Sequence, residues 1–240
     1  MLFRFIAIKT LEYGIALTVI ALLIGLKILY PSDWVMLLIV GFVLKGLVDW
    51  WFLPLKVIIV REKKLERTFQ SFLPHLPRYW IGVIVLALVL FLPYVLVKIW
   101  EILAFVPTLV GNLALMVLLG PLVGRIVGLV IENLITLPLD VLITLPKYWY
   151  VMELVEGKII WEALKGAFLP FKEFGRWWKE ITFVTFLYSL VPSLVRDLLL
   201  LMGWLFWPVA LVVGIALEAW AEAYLIEVAW EVLKSSRGNN

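Results

Sequence analysis

The chain has 240 residues, of which 64% are hydrophobic and only 16% are charged, and its formal net charge is +3. Soluble domains average about 45–50% apolar and about 25% charged residues, so this composition excludes an ordinary soluble domain. Cysteine is absent, which excludes disulfides, thiolate nucleophiles and thiolate metal sites.

Apolar runs of about 20 residues recur along the chain, and each is long enough to cross a bilayer as a helix. We predict a single all-α domain, a polytopic membrane helical bundle covering residues 1–240. Its six transmembrane spans cover about 5–30, 34–56, 79–103, 109–136, 179–201 and 205–230. Tyrosine and tryptophan bracket these runs, as is typical of membrane interfaces. Pro107, Gly120 and Pro121 interrupt the region between 103 and 145, so hydropathy alone leaves one or two crossings open there.

Lysine and arginine predict the orientation. The connectors 56–78 and 147–179 each hold six of them, whereas the opposite ends hold Lys27, Lys98 and Arg196. The positive-inside rule therefore predicts a cell-membrane protein with both termini and both connectors in the cytoplasm. An even number of crossings must separate the two connectors, which spans three and four supply; any further piece would be re-entrant or interfacial. Because the basic residues flank spans, we expect no nucleic-acid partner.

An internal repeat organises the spans. Trp34, Gly41 and Asp49 match Trp207, Gly214 and Glu222 at a constant offset of 173 residues. The middle of the chain repeats the glycine–acid spacing more loosely, in Gly124, Gly128 and Glu132. We therefore predict three helical hairpins, at 1–60, 79–150 and 176–234.

The connectors 61–78 and 156–175 show apolar residues at helical spacing among lysines, as in Ile160, Leu164, Ala167, Phe168 and Phe171. This pattern predicts amphipathic helices in the cytoplasmic interface, in contact with anionic lipid headgroups. The alternative is that they pack as ordinary helices on the ends of the bundle.

One connector resembles a known family. The segment VMELVEGKIIWEALKGAFLPFKEFGRWWKE lies between a span rich in proline and glycine and the next span. It is similar to a connector in prokaryotic six-span proteins of the glycerophosphodiester phosphodiesterase membrane-domain type, over about 80 residues around 120–200. These membrane domains have no assigned catalytic residues of their own, so the resemblance implies the fold and no site.

Charged residues inside the predicted spans are the candidate functional residues. They are Lys9, Glu12, Lys45, Asp49, Arg125, Glu132, Glu218 and Glu222. A charge at mid-depth costs at least about 2.5–3.5 kcal/mol on insertion scales, so each should face the bundle and find a partner. Since spans three and five lack charges over 81–97 and 181–195, we expect spans one, two, four and six to converge on one polar cluster.

This cluster has three possible roles. It is a dry ion-pair network that locks the bundle, a cytoplasm-facing cavity for a cation, proton or cationic substrate, or an interface to another membrane subunit or a second copy. No HExxH, GxSxG or Walker motif occurs, and the one histidine, His75, lies between prolines without a partner. We therefore predict no catalytic, metal or cofactor site. The favoured function is a non-catalytic structural or accessory membrane protein; the alternative is a small transporter or channel-like protein.

Overall fold

A computed structural model describes residues 2–29, 34–62, 70, 72–201 and 206–238. Within these ranges the chain is helical and contains no strand. The α-helices are α1 (Leu2–Leu29), α2 (Trp34–Glu62), α3 (Leu76–Leu119), α4 (Pro121–Val155), α5 (Ile160–Ala167), α6 (Phe174–Leu201) and α7 (Trp207–Gly238). Two 3-10 helices cover Leu73–His75 and Leu169–Glu173.

Four segments of the described residues are long and apolar enough to cross a membrane. They are Leu73–Leu90, Pro121–Pro138, Trp177–Leu199 and Trp207–Arg237. The first two predicted spans correspond to α1 and α2, which have 28 and 29 residues. The all-helical fold class is confirmed, and its four candidate spans are compatible with a membrane location.

The middle hairpin differs from the predicted spans 79–103 and 109–136. Helix α3 runs without interruption for 44 residues to Leu119, and the chain reverses at Gly120 instead of between 103 and 109. Gly120 has φ 82°, which favours glycine, and Pro121 begins α4, where a missing N–H is harmless. The helix continues through position 107 because proline is tolerated inside apolar helices when neighbours accommodate it.

The C-terminal part of α4 forms the centre of the core. Tyr148, Trp149 and Tyr150 are fully buried. Trp149 Nε1 donates to the carbonyl oxygen of Ala229 at 2.9 Å, and Tyr150 Oη donates to that of Gly82 at 3.0 Å. A buried aromatic ring therefore brings a large apolar area together with a hydrogen bond that fixes α4 against α7 and α3.

The outward faces of the bundle are apolar. On α3, Ile81, Ile84, Leu88, Leu92 and Leu96 recur at helical spacing and are all more than half exposed. A soluble helix presents polar residues on this side, and extended exposed apolar faces mark membrane or partner contacts.

The second connector packs on the bundle through small residues. Ala163 and Ala167 of α5 are fully buried, whereas Trp161 and Phe168 are 66% and 43% exposed. Gly166 leaves room for the carboxylate of Glu153, and a Cβ there would contact it. Glu153 is buried and pairs with Lys158 and Arg237, at 2.6 Å each. Phe168 was predicted in the same apolar stripe as Ala167 and instead faces outward. Of the first connector, residues 63–69 and 71 lie outside the described residues.

Glycines bring α3 and α4 into close contact near their shared turn. A Cβ on Gly124 would meet backbone atoms of Leu115 and Met116, and one on Gly128 would meet the side chain of Asn112. Small residues at such positions let helix backbones approach, which increases van der Waals contact.

Replacement of Gly124 by alanine should separate the helices. We expect Gly124→Ala to lower the free energy of unfolding by about 1–3 kcal/mol, because the added methyl group meets backbone that cannot move alone. Thermal unfolding of the purified protein in detergent measures the effect. The matched control is Gly111→Ala on α3, where no atom lies within 4 Å of the added carbon. It should be neutral or raise stability by up to about 1 kcal/mol, since alanine favours helix. Equal losses in the two variants would contradict the close packing.

Candidate functional site: a buried ion-pair cluster

Four helices bring charged side chains to one point in the bundle. The buried ion-pair cluster consists of Lys9 and Glu12 from α1, Asp49 and Lys56 from α2, Lys147 from α4, and Glu218 and Glu222 from α7. Helical spacing explains why they meet. Lys9 and Glu12 are three apart, Glu218 and Glu222 four apart, and Asp49 and Lys56 seven apart, so each pair shares a helix face.

Lys56 is the centre of the cluster. Its ammonium nitrogen lies 2.7 Å from Asp49 Oδ1, 2.8 Å from Glu12 Oε1 and 3.1 Å from Glu222 Oε1. The Lys56 and Glu222 side chains are both fully buried. Lys56 donates hydrogen bonds to Asp49 and Glu222, and Glu12 completes the set of three carboxylates as an ion pair.

Lys9 forms a second bridge beside it. Its Nζ lies 2.6 Å from Glu222 Oε2 and 3.0 Å from Glu218 Oε1, and 3.6 Å from Glu12 Oε2. Glu222 therefore receives one lysine on each oxygen. Tyr148 Oη also donates to Glu222 Oε1, at 2.8 Å. A fully buried carboxylate is stabilised only when its lone pairs are satisfied in this way.

The two edges of the cluster are more open than its centre. At one edge Lys147 Nζ lies 3.3 Å from Asp49 Oδ2, and the Asp49 side chain is 31% exposed. At the other edge Tyr13 Oη donates to Glu218 Oε2 at 2.5 Å, and the Glu218 side chain is 26% exposed. The three lysines face four carboxylates, so the cluster carries one more negative than positive charge in its ionised form.

A cavity of about 100 Å³ borders the Glu218 edge. Its walls come from α1, α6 and α7, and its polar lining is Tyr13, Arg196 and Glu218. Gly214 also lines it, seven residues after the first residue of α7, and Arg196 lies five residues before the last residue of α6. The cavity therefore lies nearer to the end of the bundle where α6 and α7 meet than to the end that holds the chain termini.

Five of the eight predicted residues lie in the cluster: Lys9, Glu12, Asp49, Glu218 and Glu222. Arg125 does not. It forms a separate ion pair with Asp197 of α6, because its position on α4 is far along the helix from Lys147. Glu132 is exposed. Arg125 and Glu132 therefore lie outside the cluster that was expected to include them. The Lys45 side chain lies outside the part of the chain that the structure describes.

Two of the three cluster lysines, Lys56 and Lys147, were not among the predicted site residues. Each is the first residue of a basic connector, 56–78 or 147–179, so the sequence pattern assigns both to the connectors that orient the chain. A signal was present for Lys56, which is seven residues from Asp49 and so on the same face of α2. No such signal marked Lys147, whose partner is on another helix.

The cluster chemistry is electrostatic. Lysine ammonium groups occupy the carboxylate oxygens, and among the described residues no three His, Asp or Glu side chains are placed to hold a metal ion.

The fold and the site together define an all-α bundle whose long helices are joined by a buried ion-pair cluster. No family model, curated protein or solved structure matches this chain. Its function is therefore inferred from the geometry of the cluster and of the bundle surface.

Removal of the central ammonium should be strongly destabilising. We expect Lys56→Met to lower the free energy of unfolding by about 3–5 kcal/mol, because it leaves four carboxylates to share the two remaining ammonium groups. Thermal unfolding in detergent provides the measurement. Lys165→Met is the control, since Lys165 is exposed on α5. The double variant K56M/E222Q should recover part of the loss, because it also removes a buried negative charge. No recovery would indicate that Lys56 acts through packing and not through charge.

Proposed function

We propose that the protein is a multi-pass integral protein of the cell membrane with a structural or accessory role. In this proposal α1, α2, α3, α4, α6 and α7 are six crossings, arranged as three repeated hairpins, and the termini and both connectors are cytoplasmic. The apolar outward faces support insertion, because a continuous row of exposed aliphatic residues is stable in lipid and not in water. Even 28 residues of helix extend about 42 Å, enough to cross a hydrocarbon core of about 30 Å.

The single observation that carries the structural role is the fully buried Lys56–Glu222 pair. Glu222 contacts groups from three other helices, and Lys56 contacts carboxylates from α1 and α7 and from its own helix α2. A change in the packing of these helices would therefore leave a charge unpaired in a medium of low dielectric constant. Such a cluster fixes one arrangement of α1, α2, α4 and α7. A bundle held in one arrangement suits a scaffold or a subunit of a larger membrane complex.

The repeat is consistent with this arrangement. Helices α2 and α7 begin at the matched residues Trp34 and Trp207. The matched acids Asp49 and Glu222 then both contact Lys56. Two copies of one hairpin thus supply equivalent acids to one lysine, which supports duplication as the origin of the fold.

The lipid bilayer is the proposed partner of α5. Its outward residue Trp161 and the preceding Ile159 are 66% and 59% exposed, and the exposed Lys165 lies one helical turn after Trp161. This combination favours an interfacial position against anionic headgroups. Resemblance to the six-span membrane domains stays a prediction, as do a second copy or another membrane protein as a partner.

A second candidate function is a small transporter or channel-like protein. The observation that favours it is the cavity beside Glu218, which gives one acid of the cluster access to space outside the core. The sequence predicted a cavity that faces the cytoplasm. In the proposed orientation the cavity instead lies nearer to the opposite end of the bundle, and of the α7 acids Glu218 lines it.

Charge-neutral variants separate the two functions. Glu222→Gln should lower the melting temperature strongly, because it unbalances Lys56 and Lys9 in the dry centre of the cluster. If the role is structural, Glu218→Gln and Glu222→Gln proteoliposomes should show the same cation and proton permeability as the unaltered protein. A permeability that is present in the unaltered protein and lost in a folded Glu218→Gln variant would favour transport instead.

The absence of native cysteine allows a direct test of the orientation. Trp161→Cys and Trp207→Cys place single thiols at similarly exposed positions, 66% and 58%, on opposite ends of the bundle. We expect a membrane-impermeant maleimide to label Trp207→Cys in intact cells, and Trp161→Cys only after the membrane is opened. Labelling of both thiols in intact cells would contradict the proposed topology, and so would the reverse pattern.

A further inference from the structure

The cavity beside the cluster places one cation and one anion around a single space. Its apolar wall includes Pro192, Leu211 and Ile215, and its charged lining consists of the Arg196 guanidinium and the Glu218 carboxylate. Arg196 and Glu218 form no ion pair with each other, although both side chains are described. The volume is about 100 Å³. One water needs about 10–15 Å³ by the same measure, so a ligand of several non-hydrogen atoms fits between the two charges.

Arg196 has donors that can hold an anionic group. Within the described part of the chain its ion-pair partner is the adjacent Asp197, whose Oδ1 lies 3.4 Å from Arg196 Nε. Asp197 is shared with Arg125. A guanidinium has five N–H donors, and the Arg196 side chain is 54% exposed. Arg196 can therefore bind two oxygens of a carboxylate or phosphate in the bidentate manner that is typical of arginine.

Glu218 has acceptor sites that can hold an ammonium group. Its two oxygens accept hydrogen bonds from Lys9 Nζ at 3.0 Å and from Tyr13 Oη at 2.5 Å, which fix the orientation of the carboxylate. A carboxylate has about four lone-pair sites, so these two contacts do not exhaust it. The Glu218 side chain is 26% exposed and lines the cavity. An ammonium group in the cavity can therefore donate to Glu218 without displacing Lys9 or Tyr13.

The charges of this region balance without a bound ion. The cluster, the Arg125–Asp197 pair and Arg196 together contain five cationic side chains and five carboxylates. They are Lys9, Lys56, Lys147, Arg125 and Arg196, and Glu12, Asp49, Asp197, Glu218 and Glu222. A metal cation would add a positive charge beside Arg196, and a simple anion would add a negative charge beside Glu218. A ligand with one charge of each sign leaves the balance unchanged, which matters where the dielectric constant is low.

We propose that this cavity binds a small zwitterion, with its anionic group on Arg196 and its ammonium group on Glu218. Arg196 is the more exposed of the two residues and lies nearer to the end of the bundle, so the ammonium group enters first. A Cβ added to Gly214 would lie 4.0 Å from Arg196 Cβ, so these two residues are at the same level. Glu218 follows Gly214 by four residues, or about 6 Å along α7. The two charges of the ligand are therefore separated by a short apolar linker, as in an ω-amino acid or in the ethanolamine phosphate group of a phospholipid.

Probes of matched size test whether both charges are needed. The site requires only the folded chain and neither of the two candidate functions, so purified protein in detergent is sufficient. We expect β-alanine to bind at least about tenfold more tightly than propylamine or propionate, each of which carries only one of the two charges. Glycine and 4-aminobutyrate provide a shorter and a longer linker, and isothermal titration calorimetry measures the dissociation constants. The proposal is wrong if none of the three amino acids binds, or if a probe with a single charge binds as tightly as the best of them.

Variants assign each charge of the ligand to its partner. Arg196→Gln and Glu218→Gln should each weaken binding of the best amino acid at least about tenfold, whereas Lys179→Gln, at an exposed position of α6, should not change it. Arg196→Lys keeps the charge and should bind more tightly than Arg196→Gln. Melting temperatures show which variants are folded. Unchanged affinity in both folded glutamine variants would overturn the proposal.

Filling the cavity tests the site without a change of charge. Gly214→Leu places a side chain in the wall and should abolish binding. Its control is Val212→Leu, on the same helix at an outer position that is 67% exposed, which should bind as the unaltered protein does. Equal affinity in the two folded variants would place the ligand elsewhere and overturn the proposal.

Lipid nanodiscs distinguish a soluble zwitterion from a lipid headgroup. In nanodiscs of phosphatidylglycerol, which has no ammonium group, the best amino acid should bind as it does in detergent. If a lipid headgroup is the natural occupant, added phosphatidylethanolamine should compete with the amino acid. If the occupant comes from the aqueous phase, the same addition should leave the affinity unchanged. Either result supports a zwitterion site, whereas a loss of binding in phosphatidylglycerol alone would contradict it.

Discussion

The charge on Lys56 is the constraint on which the rest of the bundle depends. Removing an ammonium from water costs several kcal/mol even after the protein relaxes, so it must be surrounded by acceptors of opposite charge. Here those acceptors come from α1, α2 and α7, all within 3.1 Å. In the proposed membrane location, lipid gives helices no hydrophobic reason to associate, so specific polar contacts and close packing decide which helices meet. The cluster supplies the polar part of that specificity.

Close packing supplies the rest of the specificity with which the helices associate, and it acts at positions outside the cluster. Tyr148, Trp149 and Tyr150 bring α4 against the cluster and against α7, with hydrogen bonds that hold the aromatic rings in place. At the far end of α4, Gly124 and Gly128 bring it against α3. The Arg125–Asp197 pair attaches the same region to α6. Helix α4 therefore contacts its neighbours through aromatic side chains, glycines and an ion pair at different points along its length. The cluster determines the position of only one part of this helix.

The sequence predicts the helices better than it predicts their contacts. Apolar runs and flanking aromatic residues locate α1, α2, α6 and α7, because these signals depend on local composition, but the predicted span 109–136 crosses the turn between α3 and α4. Spans one, two, four and six were expected to converge because the others lack charges. Spans one, two and six supply the cluster, whereas its residue from α4, Lys147, lies beyond the predicted span 109–136. The turn at Gly120 was missed because proline at 107 weighed as a stronger break than it is inside an apolar helix. Lys56 and Lys147 were missed because a lysine near a helix end looks the same whether it reaches outward to water or inward to an acid. Partner choice between helices, as in Arg125 with Asp197, depends on tertiary packing that no local pattern contains.

The cluster is most buried at its centre and more open at its two edges. Lys56 and Glu222 are fully buried, whereas the side chains of Asp49 and Glu218 are 31% and 26% exposed. Lys9 lies 2.6 Å from Glu222 and 3.0 Å from Glu218, so the loss of its contact with Glu218 leaves it paired with the nearer carboxylate. The buried centre therefore keeps its pairing when an edge residue moves or is replaced. Because the central pairs do not depend on the exposed edges, the cluster can hold four helices together while the surface beside it changes.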